Sequence, residues 1–173
     1  IRQTPREVYR REFTTRLQEA NLLAPDFDPT TLEGIIAQMQ VRTKFYNEIP
    51  VNCAYFFTEE YPFDPQAVEK RLQQPGTAEL LLAVATEFAQ LTTFNEETTH
   101  EALTKMGASR GTGLGGMVHP VRVAVSGSSE GPGLFEMLTL LGREVVCARL
   151  RRVAATTATP APTDNSNLGE RAK

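Results

Sequence analysis

Six consecutive residues, Gly111-Thr112-Gly113-Leu114-Gly115-Gly116, put glycine at all three fixed positions of a G-x-G-x-x-G phosphate turn. Such glycines let a backbone approach a pyrophosphate, but only between the strand and helix of a βαβ unit. No strand pattern precedes them, and no G-x-x-x-x-G-K-[ST] loop occurs, so they read as a flexible connection. His100 and His119 are the only histidines, and neither stands at metal-ligand spacing with Cys53 or Cys147. Both cysteines lie in apolar surroundings and read as buried structural thiols. The carboxylate pairs Glu59-Glu60 and Glu96-Glu97 are adjacent, and adjacent helical residues do not face each other, so neither is an acid/base dyad. No Ser/His/Asp arrangement assembles. These residue types point to a binding module, not a catalyst, with no catalytic, metal or cofactor residue of its own.

Arginine is the chemistry that remains. Of 18 basic residues, 14 are Arg and four are Lys. The guanidinium fork matches phosphates and base edges in a way that an ammonium does not. The net charge of −3 argues against a nucleic-acid partner, but it averages a gradient. Residues 1–26 carry net +1, residues 27–119 net −6, residues 120–155 net +2, and residues 156–173 balance. With 173 residues and 40% hydrophobic content, the chain suits one domain or two small ones with a real core. Two cysteines are too few for a disulfide framework, and neither an apolar run of about 18 residues nor a basic-then-apolar leader pattern stands out. A cytoplasmic protein is expected. The chain opens Ile1-Arg2-Gln3-Thr4 without Met and reads as a piece of something longer.

The elements that must position these arginines are helical throughout. Thr4-Pro5-Arg6-Glu7 reads as a capped start, with Val8, Phe13 and Leu17 at helical spacing. Asp28-Pro29 starts a long helix, expected to carry Leu32, Ile35, Ile36, Met39 and Phe45 on one face up to Pro50. Val51 to Phe57 is short and aromatic, with a strand as one reading. Asp64-Pro65 and Asn95 start further helices. Thr77 to Leu91 is expected to be the most buried helix. Val121 to Val125 is an apolar run, Gly131-Pro132 starts a helix, and Gly142 separates it from a last one. From Thr156 onward the Thr/Ala/Pro/Asn-rich composition predicts disorder.

Residues 119–152 then carry a resemblance. His119-Pro120-Val121-Arg122-Val123-Ala124-Val125-Ser126-Gly127, Gly131-Pro132-Gly133-Leu134-Phe135-Glu136, Leu141-Gly142-Arg143-Glu144 and Ala148-Arg149-Leu150 closely resemble the end of bacterial glutamyl-tRNA synthetases. There the forms are P-x-R-x-A-x-T-G, G-P-x-L-F-E, L-G-[KR]-E and x-R-L. Upstream, Tyr55-Phe56-Phe57 with Tyr61-Pro62 resembles the family's aromatic segment, and Ile1-Arg2 resembles the remnant of a "YIR". The resemblance spans about residues 1–155.

It implies an all-α fold of two small helical subdomains, residues 1–92 and 93–155, with a disordered tail over 156–173. It implies tRNA anticodon recognition, with tRNA-Glu as partner and a monomeric enzyme. ATP, Mg and glutamate activation would belong to an upstream catalytic domain with HIGH and KMSKS-type motifs. Lys105-Met106-Gly107-Ala108-Ser109 only superficially echoes the second motif. Carried over residue by residue, the anticodon contacts are Arg42, Arg122, Gly131, Pro132 and Leu134. Arg42 would read the third base, and Leu134 would pack on a base face. Arg143, Arg149 and Arg152 (with Arg151) would attract phosphates. Ser126 stands where Thr is usual, Gly113 where Lys is frequent, and Gly131 where some members have Thr; the last two remove a charge and a hydroxyl near the RNA. A helical protein-interaction module without RNA binding is the competing reading, which the acidic middle region fits.

Overall fold

The computed structural model describes residues 1–158, and these form nine α-helices with two single 3₁₀ turns and no strand. The helices are α1 (Arg6–Glu19), α2 (Pro29–Gln40), α3 (Ile49–Asn52), α4 (Pro65–Arg71), α5 (Thr77–Gln90), α6 (Glu96–Arg110), α7 (Gly113–Ser126), α8 (Leu134–Leu141) and α9 (Arg143–Thr157).

Local chemistry explains most starts. The Asp28 carboxylate accepts from Thr31 N–H at 2.7 Å, with Pro29 at the first helical position. Asp64 caps α4 through Gln66 N–H, and Asn95 and Thr98 bond each other's backbone N–H at the start of α6. At α1 the expected Thr4 cap is not formed. The helix begins at Arg6 behind Pro5, with no capping side chain, and Thr4 N–H closes a turn on Ile1 O.

The long helix expected from residue 29 to Pro50 stops at Gln40. Thr43 is the physical reason. Its backbone N–H and its hydroxyl both donate to Met39 O, and the hydroxyl pairs with Tyr9 Oη at 2.7 Å in the core. The N–H bond still has helical spacing, but the buried hydroxyl, tied to Met39 O and to Tyr9, holds Thr43 in the core as the chain leaves the helix. Phe45, expected on the apolar face, is therefore 64% exposed. In α1 it is Tyr9 that is buried with Phe13 and Leu17, while Val8 faces outward. The aromatic stretch 51–57 is the end of α3 plus a 3₁₀ turn, not a strand.

The glycine-rich stretch is a tight α6–α7 hairpin instead of a loose connection. Gly111 is left-handed at φ +69, its N–H bonds Ala108 O, and Thr112 N–H bonds Gly107 O, which closes the helix end. A Cβ on Gly107 would collide with the Gly113 carbonyl, so glycine permits the close crossing. The run Val121 to Val125 is the buried interior of α7, which continues through Pro120.

α5 packs along α9 and α6 along α7, and buried residues from all parts form one continuous core. A boundary at residue 92 would separate α5 from α9, the most extensively packed pair. α5 buries Leu80, Leu81, Val84, Ala85 and Phe88 as expected, while Leu82 points out. The tail expected from Thr156 begins inside α9; residues 159–173 lie outside the described residues.

Candidate RNA interface

A cleft of about 500 Å³ opens where α2, α3 and the C-terminal end of α7 converge. Met39 and Arg42 line one side, Val51 and Tyr55 another, and Phe63, Gly127 and Gly131 close it. Arg42 is exposed just past α2, where its Nη1 donates to Gln38 O at 2.6 Å. A cation there complements the negative end of the helix. Arg2, whose Nε donates to Val41 O, adds a second guanidinium. Asp64 and Glu130 stand among the lining residues as well, so the cleft is cationic on its Arg2–Arg42 side only.

Arg122 lies behind this surface. Its Nη1 donates to Pro132 O at 2.6 Å, and a Cβ on Gly131 would stand 4.0 Å from the same nitrogen. Burial lowers the Arg122 pKa from its ordinary value, the nearby Arg42 lowers it further, and Tyr55 and Glu136 oppose both. One nitrogen of the fork thus holds the 131–133 turn. Gly131 carries φ +132, a conformation that side chains rarely adopt. The Tyr55 hydroxyl is buried beside it with no hydrogen-bond partner among the described residues.

Arg42, Arg122, Gly131 and Pro132 are therefore brought together, but Leu134 is not free to meet a base. It is 3% exposed and belongs to the core. Phe135, its neighbour, is half-buried and makes an edge contact with His100 at 4.8 Å. The start of α8 is also occupied: the Glu136 carboxylate folds back against Gly133, where a Cβ would collide with it.

The three phosphate candidates divide differently from expectation. Arg149 is 2% exposed and cannot meet a phosphate. Its Nη1 donates to Val125 O at 2.7 Å, its Nη2 to Tyr55 O and Glu59 Oε1 at 2.8 Å, and its plane stacks on Tyr61 at 4.4 Å. An arginine fork with this many acceptors is a structural bolt. Arg152 remains half-exposed, yet both terminal nitrogens are engaged, with Glu59 at 3.0 Å and Tyr61 Oη at 3.2 Å. Arg143 opens α9 and does not line the cleft; it lies over Phe94 at 5.8 Å and near Thr92 O.

Phe63 escaped the sequence reading. It is 36% exposed, lines the cleft, and lies against Tyr61 at 5.1 Å. An aromatic directly after Tyr61-Pro62 was its one signal. The two thiols are buried as expected, and burial pushes Cys53 up to about 12. Among the described residues no group of His, Cys, Asp and Glu could hold a metal, and no helix is long and apolar enough to cross a membrane.

A helical module with arginines, an exposed aromatic and a left-handed glycine turn around one cleft has the makings of a domain that reads unstacked bases. The family described as "Anticodon binding domain" matches residues 12–154, and the chain belongs to it. A glutamate–tRNA ligase of Moorella thermoacetica is 37% identical over 130 residues, 75% of this chain and 26% of that protein. One from Elusimicrobium minutum is 36% identical over 138 residues, 80% of this chain and 28% of the relative. A crystal structure of a glutamate tRNA ligase from Elizabethkingia meningosepticum, in complex with its amino acid, superposes with a TM-score of 0.76 at 25% identity. That match covers 89% of this chain and 30% of the other. The chain thus spans about a quarter of the length of the curated relatives it matches.

Proposed function

We propose that this chain reads the anticodon of tRNA-Glu on behalf of a glutamate–tRNA ligase, working as part of a monomeric cytoplasmic enzyme. The observation that carries the reading is that Arg42 and Gly131, far apart in sequence, line one cleft with Arg122 behind them. Splayed anticodon bases enter this cleft. Arg42 donates to the edge of one base, and Phe63 offers a stacking face to another. Arg122 has one nitrogen fixed on Pro132 O and turns the rest of its fork toward RNA oxygens. Glutamate activation, with ATP and Mg, belongs to a catalytic domain of the same enzyme, to which this module delivers the correct tRNA.

A filter-binding titration of the chain with tRNA-Glu tests this. Binding is expected to weaken with salt, and a tRNA-Glu carrying a changed anticodon should bind about tenfold more weakly, a difference of ~1.4 kcal/mol. Arg42→Ala removes an exposed side chain, so stability should move by no more than about 0.5 kcal/mol. Its affinity for tRNA-Glu should nevertheless fall about tenfold, and discrimination at one anticodon base should disappear. Equal binding to both tRNAs would contradict anticodon reading, and no salt-dependent binding to either would leave a protein-interaction module as the better reading.

A further inference from the structure

A second cleft, of about 400 Å³, lies where the end of α4, the start of α5 and the α6–α7 hairpin meet. Lys70, Arg71, Arg110 and His119 all line it, and no Asp or Glu does. In a chain of net charge −3 with 21 acidic residues, four basic side chains around an acid-free cleft are notable for what does not neutralise them. Six cations elsewhere are neutralised by carboxylates: Arg6 and Arg10 on Glu33, Arg16 on Glu12 and Glu19, Lys105 on Glu101, Arg149 and Arg152 on Glu59. Lys70, Arg71, Arg110 and His119 make no ion pair among the described residues, and Arg71 Nε is a buried donor without an acceptor. His119 senses the field: burial lowers its pKa, and Arg71, Arg122 and Lys70 lower it further. The walls between the cations are low, because Gly115 and Gly116 contribute no side chains there.

Four uncompensated donors around a groove with glycine walls suit a polyanion of linear shape. The position selects which one. His119 and Arg122 are three residues apart on α7, so they are neighbours along one helix surface. Arg122 lies directly behind the first cleft, where the bases are read.

We propose that this second cleft holds backbone phosphates of the same RNA whose bases enter the first cleft, with α7 as the ridge between them. The inference rests on the anticodon reading and extends it: Arg42 and Arg122 supply base discrimination, whereas Lys70, Arg71, Arg110 and His119 supply sequence-independent affinity. Such a division separates two measurable quantities, the dependence of binding on salt and the ratio between right and wrong anticodons.

The test titrates an anticodon stem-loop RNA of tRNA-Glu, and its base-changed counterpart, onto the full chain at several salt concentrations. The variant Lys70→Ala/Arg110→Ala alters two exposed side chains that make no ion pair, so its melting temperature should match the parent's. The expected result is a slope of log affinity against log salt shallower by about 2, roughly one unit per lost phosphate contact. Affinity at low salt should fall at least tenfold while the ratio between the two RNAs stays unchanged. Lys70→Glu/Arg110→Glu should weaken both RNAs further and equally. An unchanged slope in these variants, with the parent still binding and discriminating, would overturn the phosphate cleft and leave the anticodon reading standing. Failure of the parent to bind either RNA would overturn both.

Discussion

Replacing Arg149 with Leu is expected to destabilise the chain by about 3–5 kcal/mol, mainly the cost of leaving two buried backbone carbonyls without their charged donor. For a domain of this size that corresponds to a fall in melting temperature of roughly 10 °C. The reason lies at the C-terminal end of α7. The last carbonyls of a helix have no partner within it. Here Gly127 N–H takes Val123 O, the Tyr61 hydroxyl takes Ala124 O at 2.9 Å, and Arg149 takes Val125 O. The same guanidinium holds Tyr55 O, so one side chain on α9 ties α7 to the aromatic segment that floors the cleft. Leucine fills part of the space but leaves both carbonyls without a donor. Arg149→Lys should recover little, because an ammonium cannot serve several acceptors in one plane. Chemical denaturation followed by circular dichroism measures both.

The network also has an acid limb. Hydrogen bonding to Arg149 holds the Glu59 carboxyl below its ordinary value of 4.5, against the opposing effect of burial and with further help from Arg152. A group whose folded value is depressed contributes stability above its unfolded value and loses it as pH falls through the folded one. The parent should therefore lose stability as pH falls below about 4.5. Glu59→Gln should show a smaller loss over the same window. Glu59 is 54% exposed, so solvent screening keeps this contribution well under that of Arg149 itself.

The second large effect is expected at Gly127. Its φ is +76, and an added Cβ would collide with the Pro62 carbonyl oxygen and stand 3.2 Å from Phe63 Cα. Both obstacles are backbone. The left-handed conformation costs a non-glycine residue roughly 1–2 kcal/mol, and relieving the collision adds a comparable amount, so Gly127→Ala should cost ~2–4 kcal/mol. Gly111→Ala separates the two contributions. Gly111 has φ +69 and nothing within 4 Å of its Cβ position, so only the conformational cost of ~1–2 kcal/mol should appear. Because Asp64 N–H bonds Gly127 O at 2.8 Å, pushing Pro62 away also moves Phe63 out of the cleft. RNA affinity should drop in Gly127→Ala and not in Gly111→Ala.

Particular residues show what was legible in the sequence. Asp28, Asp64 and Asn95 announce helix starts because a cap involves one side chain and a backbone N–H two or three residues away. The buried face of α5 and the core cysteines follow from local apolar pattern. The site residues carried over by resemblance fare unevenly, because a motif records which residues recur and not which way they face. Arg42, Arg122 and Gly131 converge, whereas Leu134 turns into the core and Arg149 is consumed by Glu59, Tyr55 and Val125, partners 24 to 94 residues away. Phe45 and the end of α2 depart from the local apolar pattern because Thr43 bonds a tyrosine on α1, a contact that no window along α2 contains. The second cleft is the extreme case. Lys70, Arg71, Arg110 and His119 form no motif, and only the α6–α7 hairpin together with α4 packing on α7 brings them to one place.

The central claim is that anticodon bases enter the cleft between Arg42 and Gly131. Titration of the isotopically labelled chain with the anticodon stem-loop of tRNA-Glu, followed by two-dimensional amide NMR, tests it residue by residue. Saturable shifts are expected at Arg42, Phe63, Gly127 and Gly131, with weaker ones at Lys70 and His119, and quiet signals at Arg143 on the start of α9 and at Phe94 beneath it. Shifts confined to the Arg143–Phe94 surface, with the cleft residues unmoved at saturation, would contradict it.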